Sequence, residues 1–540
     1  MLKLTIAVVA FIACGVASPE EHVVWVASPW EHVLKRTEPG GARTVRLWAA
    51  RNEYEPLRII VRAGDRPLSD VNVVAGALKG RVGTIPAANV TLYREHYVNI
   101  FEPSYRSKAP AGWYPDALIP FVNPVDGSRL DGAKYDAAPF GVEPNTNQGI
   151  WADVYVPSDA RAGEYAGALT VTAGGQRLAR VPVRLTVWDF ALPDTIAMRS
   201  NFGSLGGRVA NRLGMDASSP EFQKVEDLYI DALLAHRCIP SSLGRIWPEW
   251  TPEGGIDDAQ SGDRMRRMIE ERHVNALAIP FRYRNEPEKC KAYLRDLAAY
   301  LRAKGWLDLA YIYMKDEPNS AEDYEIVRKQ AALIREADPG IKRLCTEQTI
   351  TSNPEWGDLY GSVDIWCPLW GLWDEETARQ RLQLGEELWS YTALCQGDEK
   401  NPFWQIDFPP IVYRAPFWVS IHYGIKGFLY WSSVYWHPDQ DPWTRPHFRD
   451  RYWGEGMLLY PGTDAGITGP VTSIRLKLIR EAMEDFEYVT LVSRSGNEER
   501  ADAIVAEVAR SFTDWDHDPG AYMRARERLA QLIVAARARR

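Results

Sequence analysis

Two carboxylates stand side by side in the stretch YIYMKDEPNS, Tyr311 to Ser320, just where an apolar run ends: Asp316 and Glu317. Held close together, such a pair titrates in separated steps, so one group can stay protonated while the other carries charge. Cleavage of a glycosidic bond requires that division of labour, since one carboxyl gives a proton to the leaving oxygen while the other serves the sugar. The same letters have a local alternative. DEPNSAED suits a helix N-terminus, with acidic groups favourable to the dipole and Asn319 or Ser320 as cap. RNEPEKC, Arg284 to Cys290, is a useful comparison. There Asn285 reads as a cap, Pro287 as a first-turn residue and Glu286 as structural, because the motif lies several residues past its strand.

The pair needs elements to position it. From about residue 22 to 192 the chain alternates in short runs punctuated by Gly, Pro, Asn and Asp, as in RTVRLWAARNEYEPLRIIVRA and QGIWADVYVPSDARAGEYAGALTVTA, which predicts an antiparallel β-sandwich. In SDARAGEYAG, Asp159 and Glu164 read as solvated turn carboxylates. After LPD at Leu192 to Asp194, short apolar strands alternate with amphipathic helical segments. Eight strands are predicted, near Met198, Cys238, Val274, Leu309, Lys342, Val363, Leu388 and Lys426. Eight βα units predict a (β/α)8 TIM-type barrel, whose active site lies at the C-terminal ends of its strands. The expected division is 1–18 as export signal, 19–194 as sandwich, 195–492 as catalytic barrel and 493–540 as a C-terminal helical extension with a solvated arginine face.

YIYMKDEP is then the fourth strand and its exit. Pro318 restricts Glu317 to extended backbone, and the turn brings both carboxylates to one cavity. Lys315 lowers their pKa values if it faces the site. Candidate second carboxylates at strand ends are Glu347 after strand five and Asp398 and Glu399 after strand seven. Candidate sugar-stacking residues are Trp370 and Trp373 after strand six and Trp431, Tyr435 and Trp436 after strand eight. Arg414 reads either as a bidentate partner for a site carboxylate or as a loop tie.

Composition narrows the partners. A net charge of −9 gives no general attraction to nucleic acid, whereas 21 Trp and 25 Tyr supply flat faces of the kind that stack on sugars. The opening MLKLTIAVVAFIACGVAS has the layout of an export signal, with a cut after Ala17 or a lipid anchor at Cys14, so a periplasmic, cell-surface or extracellular location is expected. No later run is apolar enough to span a bilayer. Cys238, Cys290, Cys345, Cys367 and Cys395 lack CxxC or Cys/His spacing and read as free buried thiols. WHPDQDPWTRPHF, Trp436 to Phe448, matches no metal loop and reads as a long surface loop. No phosphate loop, HExxH or GxSxG is present. No metal or cofactor is expected.

The chain resembles glycoside hydrolase family 123 and the related domain-of-unknown-function family 4091. In the first domain the resemblance rests on LWAARNEYEPLRIIV, GWYPDALIPF and NQGIWADVYVPSDARAGEYAG. In the second it rests on YMKDEP, YRAPFWVSIHYGIKGFLYWSSVYW and GEGMLLYPG followed by VTSIRLKLIREAMEDFEYVTLV. The resemblance implies a β-sandwich packed on a (β/α)8 barrel and an exo-acting β-N-acetylgalactosaminidase. It implies Glu317 as general acid/base and Asp316 as the residue orienting a 2-acetamido group, whose carbonyl oxygen attacks the anomeric carbon. The alternatives are a glycosidase for a non-acetamido sugar using a second carboxylate, and a non-catalytic carbohydrate-binding surface protein.

Overall fold

The computed structural model describes residues 22–130, 132–351, 353–394 and 401–539. The export segment with Cys14, and Cys395, Asp398 and Glu399, lie outside the described residues.

The N-terminal half is a sandwich of two sheets. One runs Val23–Ala27, Glu53–Arg62, Asn147–Val156, Val90–Ile100, Gly112–Pro120, with every neighbour antiparallel. The other is ordered Val45–Arg51, Gln176–Ala191, Gly163–Ala173, Leu68–Ala75, Phe140–Val142. Val45–Arg51 runs parallel to Gln176–Ala191, so this second sheet is mixed rather than purely antiparallel. Alternation in sequence becomes a shared core: Leu57, Ile59 and Val61 of the first sheet pack with Val171, Val183 and Leu185 of the second. Glu164 lies in the strand Gly163–Ala173 rather than in the turn before it, and on the exposed side of this sheet it receives a hydrogen bond at 2.7 Å from its cross-strand partner Thr186.

The second half is a curled, all-parallel sheet of seven strands ordered Arg199–Asn201, Gly427–Leu429, Glu387–Tyr391, Ile365–Trp366, Lys342–Cys345, Ala310–Tyr313, Leu277–Ala278. Helices cover it, giving a TIM-like barrel. The expected second strand near Cys238 forms no ladder. Its backbone runs beside the first strand through single hydrogen bonds, Phe202 N–H to the Ile239 carbonyl at 2.8 Å and Ser241 N–H to the Gly203 carbonyl at 3.0 Å. Pro240 and the tight following turn, with Gly244 at φ +71°, limit regular pairing there.

The sandwich is tied to the barrel by the long helix Ile474–Arg494 and the C-terminal helix Pro519–Arg537. Nearly the whole first helix is buried, and its cations meet sandwich carboxylates: Arg475 is 2.8 Å from Asp116, while Lys477 and Arg480 lie 2.7 and 3.0 Å from Asp153. The C-terminal arginine cluster is not wholly a solvated face. Arg526 is buried between Glu53, Glu55 and Glu481, so one arginine of that helix is the hub of an interdomain ionic cluster. Cys238, Cys290, Cys345 and Cys367 are free and buried.

Candidate active site

Asp316 and Glu317 follow the strand Ala310–Tyr313 and precede the helix Ala321–Ala337, whose N-cap is Ser320 accepting from Asp323 N–H at 3.1 Å. The capping function therefore belongs to Ser320, and the pair sits upstream of it. In the comparison segment the N-cap position is held by Glu286 rather than Asn285, with Pro287 opening the helix and no side-chain cap bond.

Glu317 is not extended. Its φ is +40°, a left-handed conformation that is unfavourable for a non-glycine residue. Two contacts hold it there against the pre-proline preference: its N–H donates to Thr346 Oγ1 at 2.9 Å, and its Oε1 accepts a short hydrogen bond from the Tyr391 hydroxyl. Asp316 Oδ1 takes two donors, Tyr313 Oη at 2.5 Å and Thr346 Oγ1 at 2.9 Å. Its Oδ2 has no hydrogen-bond partner among the described residues and is left for a ligand. Both carboxylates are exposed to the cavity.

The fold explains these contacts. Tyr313 pairs with Leu344 in the parallel register, so Thr346, two residues further along, falls beside the exit that carries the pair. Tyr391 ends a strand three places away in the sheet, and its bond to Glu317 spans the mouth because the sheet is curled. Burial and the neighbouring carboxylates push both tyrosine hydroxyls well above the usual phenol range, so they remain protonated donors. Lys315 turns away, its Nζ 3.0 Å from Asp323.

The pair opens into a cavity of about 790 Å³ lined also by Asn201, Ser241, Trp247, Tyr313, Tyr391 and Trp431. Among the described lining residues, Asp316 and Glu317 are the only carboxylates. Of the predicted aromatics, Trp431 lines the cavity, and Tyr435 packs against it at 5.0 Å between ring centroids. Trp431 is oriented from behind, its indole N–H donating to Glu455 at 2.6 Å.

Other predicted site residues lie elsewhere. Trp370 is buried, donates to the Phe512 carbonyl at 2.9 Å and packs on the Phe512 ring. Trp373 stacks on the same ring at 4.2 Å and 9°. Trp436 is buried and donates to the Leu459 carbonyl at 2.9 Å. These three indoles are packing, since the C-terminal segment and neighbouring loops cover the faces a sugar would need. Arg414 has no exposed surface and grips Asp485 through two bonds of 2.5 and 2.7 Å, so it ties the helix Ala415–His422 to Ile474–Arg494. Glu347 does not line the cavity. It is buried, accepts from Tyr324 at 3.1 Å, and burial raises its pKa to about 7, with Glu317 adding to the rise. The segment 436–448 is not a plain surface loop either. Trp443 is fully buried against His96 and Tyr135 of the sandwich, and Phe448 reaches the cavity.

Sequence reasoning passed over Tyr313, Thr346 and Tyr391. All three are hydroxyl residues at the C-terminal end of a barrel strand or just beyond it, and that position is the signal that marks them.

Comparison with known proteins fits this geometry. The catalytic-domain model of glycoside hydrolase 123 matches residues 266–492, and the glycoside hydrolase 123 N-terminal-domain model matches residues 34–173. Among solved structures, the chain is similar to a family 123 glycoside hydrolase from Clostridium perfringens, described in connection with glycolipid glycan hydrolysis. The TM-score is 0.68 at 15% identity, covering 96% of this chain and 98% of that one. Far weaker likenesses reach a family 39 glycoside hydrolase from Bacteroides cellulosilyticus WH2, with TM-score 0.32, 9% identity and 81% of each chain covered. A GH5 xyloglucanase from Bacteroides ovatus gives TM-score 0.28 at 8% identity, covering 86% of this chain and 100% of that one; neither of these two carries an argument. No curated protein matches the chain.

Proposed function

The chain belongs to glycoside hydrolase family 123 and is a glycosidase, and from that premise we propose that it removes a terminal β-linked N-acetylhexosamine, N-acetylgalactosamine-like, by a substrate-assisted retaining mechanism. The observation that carries the reading is the arrangement of the pair: adjacent carboxylates at a strand exit, facing one cavity, each held by its own tyrosine. Glu317 gives its proton to the glycosidic oxygen as the bond from the anomeric carbon breaks. The acetamido carbonyl oxygen bonds to that carbon from the opposite face, and the positive charge passes to an oxazolinium-like ring. Asp316, fixed through Oδ1, offers Oδ2 to the acetamido N–H and stabilises this charge. Glu317, now a carboxylate, takes a proton from water as the water oxygen attacks the anomeric carbon, which reopens the ring with retention. The withdrawal of Glu347 behind Tyr324 supports a nucleophile supplied by the substrate.

The test is chromophore release from aryl β-N-acetylgalactosaminide and β-N-acetylglucosaminide beside their 2-hydroxy counterparts, with Glu317→Gln as control. Cleavage confined to an acetamido sugar and lost in the variant is expected. Cleavage of a 2-hydroxy sugar at a comparable rate overturns substrate assistance, and binding without cleavage of any glycan overturns the catalytic role of the pair.

Residues 1–18 support export, with Cys14 as the alternative lipid attachment point. N-terminal sequencing of the protein recovered outside the cytoplasm checks this, and a chain retained inside the cell with residues 1–18 attached overturns it.

A further inference from the structure

At the rim of the cavity two arginines stand near the acidic pair. Arg449 lines the cavity that holds Asp316 and Glu317, and Arg208 lies over the aromatic wall. Both are exposed, and among the described residues neither has an ion pair or a side-chain hydrogen bond.

These two guanidiniums are positioned rather than loose. The Arg208 guanidinium carbon sits 4.6 Å from the Tyr435 ring centroid and 6.0 Å from that of Trp431, while Arg449 sits 5.0 Å from the Phe448 ring. Trp431, Tyr435 and Phe448 form one cluster, with ring centroids 5.0 to 5.5 Å apart, so both cations stack on the same aromatic unit. Stacking occupies the flat face of a guanidinium and leaves its edge N–H donors free, the geometry suited to bidentate binding of an oxyanion.

The backbone supports the placement. Arg449 and Asp450 both have positive φ, +49° and +55°, in a tight turn between the short strands His447–Phe448 and Tyr452–Trp453. Such strain in two successive non-glycine residues is costly and persists where surrounding structure fixes it. Here it separates neighbouring opposite charges: Asp450 faces His447 at 3.3 Å, while Arg449 is directed to the cavity. The other arginines of the segment turn elsewhere, Arg445 to Phe101 and Arg451 to Tyr105 of the sandwich.

From this we propose that the rim is a specificity site for an oxyanion carried by the substrate glycan, a sulfate ester or a uronate carboxylate, held chiefly by Arg449 and secondarily by Arg208. The proposal rests on the glycosidase reading of the same cavity and narrows its substrate class to anionic glycans. Without the rim cations, Asp316 and Glu317 would repel such a substrate; with them the anion is paired while the scissile bond reaches Glu317.

The test compares kcat/KM on an aryl β-N-acetylgalactosaminide, its ring-sulfated derivatives, and the same sugar linked to a uronate leaving sugar. An anionic member is expected to exceed its neutral parent by about tenfold or more at low salt, an advantage that shrinks as ionic strength rises. Arg449→Gln is expected to remove most of that ratio through KM, and Arg208→Gln a smaller part. Arg46→Gln, on the far sheet of the sandwich, leaves the ratio unchanged and controls for net charge. The sulfate and uronate arms identify which oxyanion is bound. Neutral and anionic sugars turned over alike overturn the proposal and leave the reading of the pair standing. Calorimetric titration of Glu317→Gln with sulfated and neutral sugars decides the matter without turnover. Tighter binding of the sulfated sugar, lost on adding Arg449→Gln, supports the site, and equal affinities overturn it.

Discussion

Carboxylates gather in two places in this molecule, and they behave in opposite ways. At the barrel mouth, Asp316 and Glu317 are exposed, hydrogen-bonded by hydroxyls and, among the described residues, without an ion pair, with Lys315 drawn off to Asp323. In the seam between sandwich and barrel, Glu53, Glu55, Glu481, Glu484 and Asp485 are all buried and share Arg414, Arg480 and Arg526. Burial raises Glu55 and Glu481 well above the usual carboxylate range and Glu484 to about 7. Perturbed titration alone would pick the seam as the active site. Access decides otherwise: the seam is closed by two helices and a sheet, whereas the mouth opens on a cavity. The strongest electrostatics hold the domains together, and the proposed chemistry falls to the exposed pair.

Breaking each region should therefore give opposite phenotypes. Glu317→Gln is expected to lower kcat by about 10³-fold or more with Tm unchanged, because proton transfer to the leaving group is lost. Near-normal turnover in that variant would remove Glu317 from the mechanism. Arg526→Met removes the cation shared by Glu53, Glu55, Glu481 and Asp485 and should cost about 3–5 kcal/mol in denaturant unfolding, while the folded fraction keeps its kcat. An unchanged unfolding midpoint would show that the seam is not the domain clamp.

Asp316→Asn should reduce kcat by about 10²- to 10³-fold, since an amide cannot balance a developing positive charge. Tyr391→Phe removes one donor to Glu317 and should cost about 10- to 100-fold in kcat/KM. A variant as active as the wild type would mean that the Tyr391 bond does not orient Glu317.

The smallest effect concerns Glu347, whose pKa is raised from 4.5 to about 7 in the folded state. The folded protein keeps a proton that the unfolded chain has lost in that interval, so this group makes stability fall as pH rises from about 4.5 to about 7. Glu347→Gln abolishes the contribution. The Tm difference between variant and wild type should therefore move in favour of the variant across that window, and a difference flat with pH would refute the assignment.

Much of the architecture was legible because it is written in local pattern. Alternating runs marked the sandwich, and βα spacing placed most of the barrel strands and the exit at Asp316. The weak second strand was not legible, since an apolar run near Cys238 looks like a strand whether or not a partner ladder forms. Adjacent letters revealed the Asp-Glu pair, yet not the left-handed turn at Glu317, which depends on Thr346 and Tyr391 from other strands. Trp370, Trp373 and Trp436 were chosen by their place after apolar runs, and the structure covers them because burial depends on what packs on top.

Sequence by itself determined residue type and order: two adjacent carboxylates at the end of a strand, apolar periodicities suited to two kinds of sheet, and motifs resembling one family. These are short-range properties, fixed by backbone geometry and side-chain chemistry within a few residues. Tertiary structure alone decided which charges meet and which stay open to solvent. Arg414 and Arg526 became buried clamps, Arg208 came to lie over Tyr435, and Tyr391 crossed the mouth to Glu317, because the curl of the sheet and the docking of the sandwich bring together residues 71 to 473 positions apart.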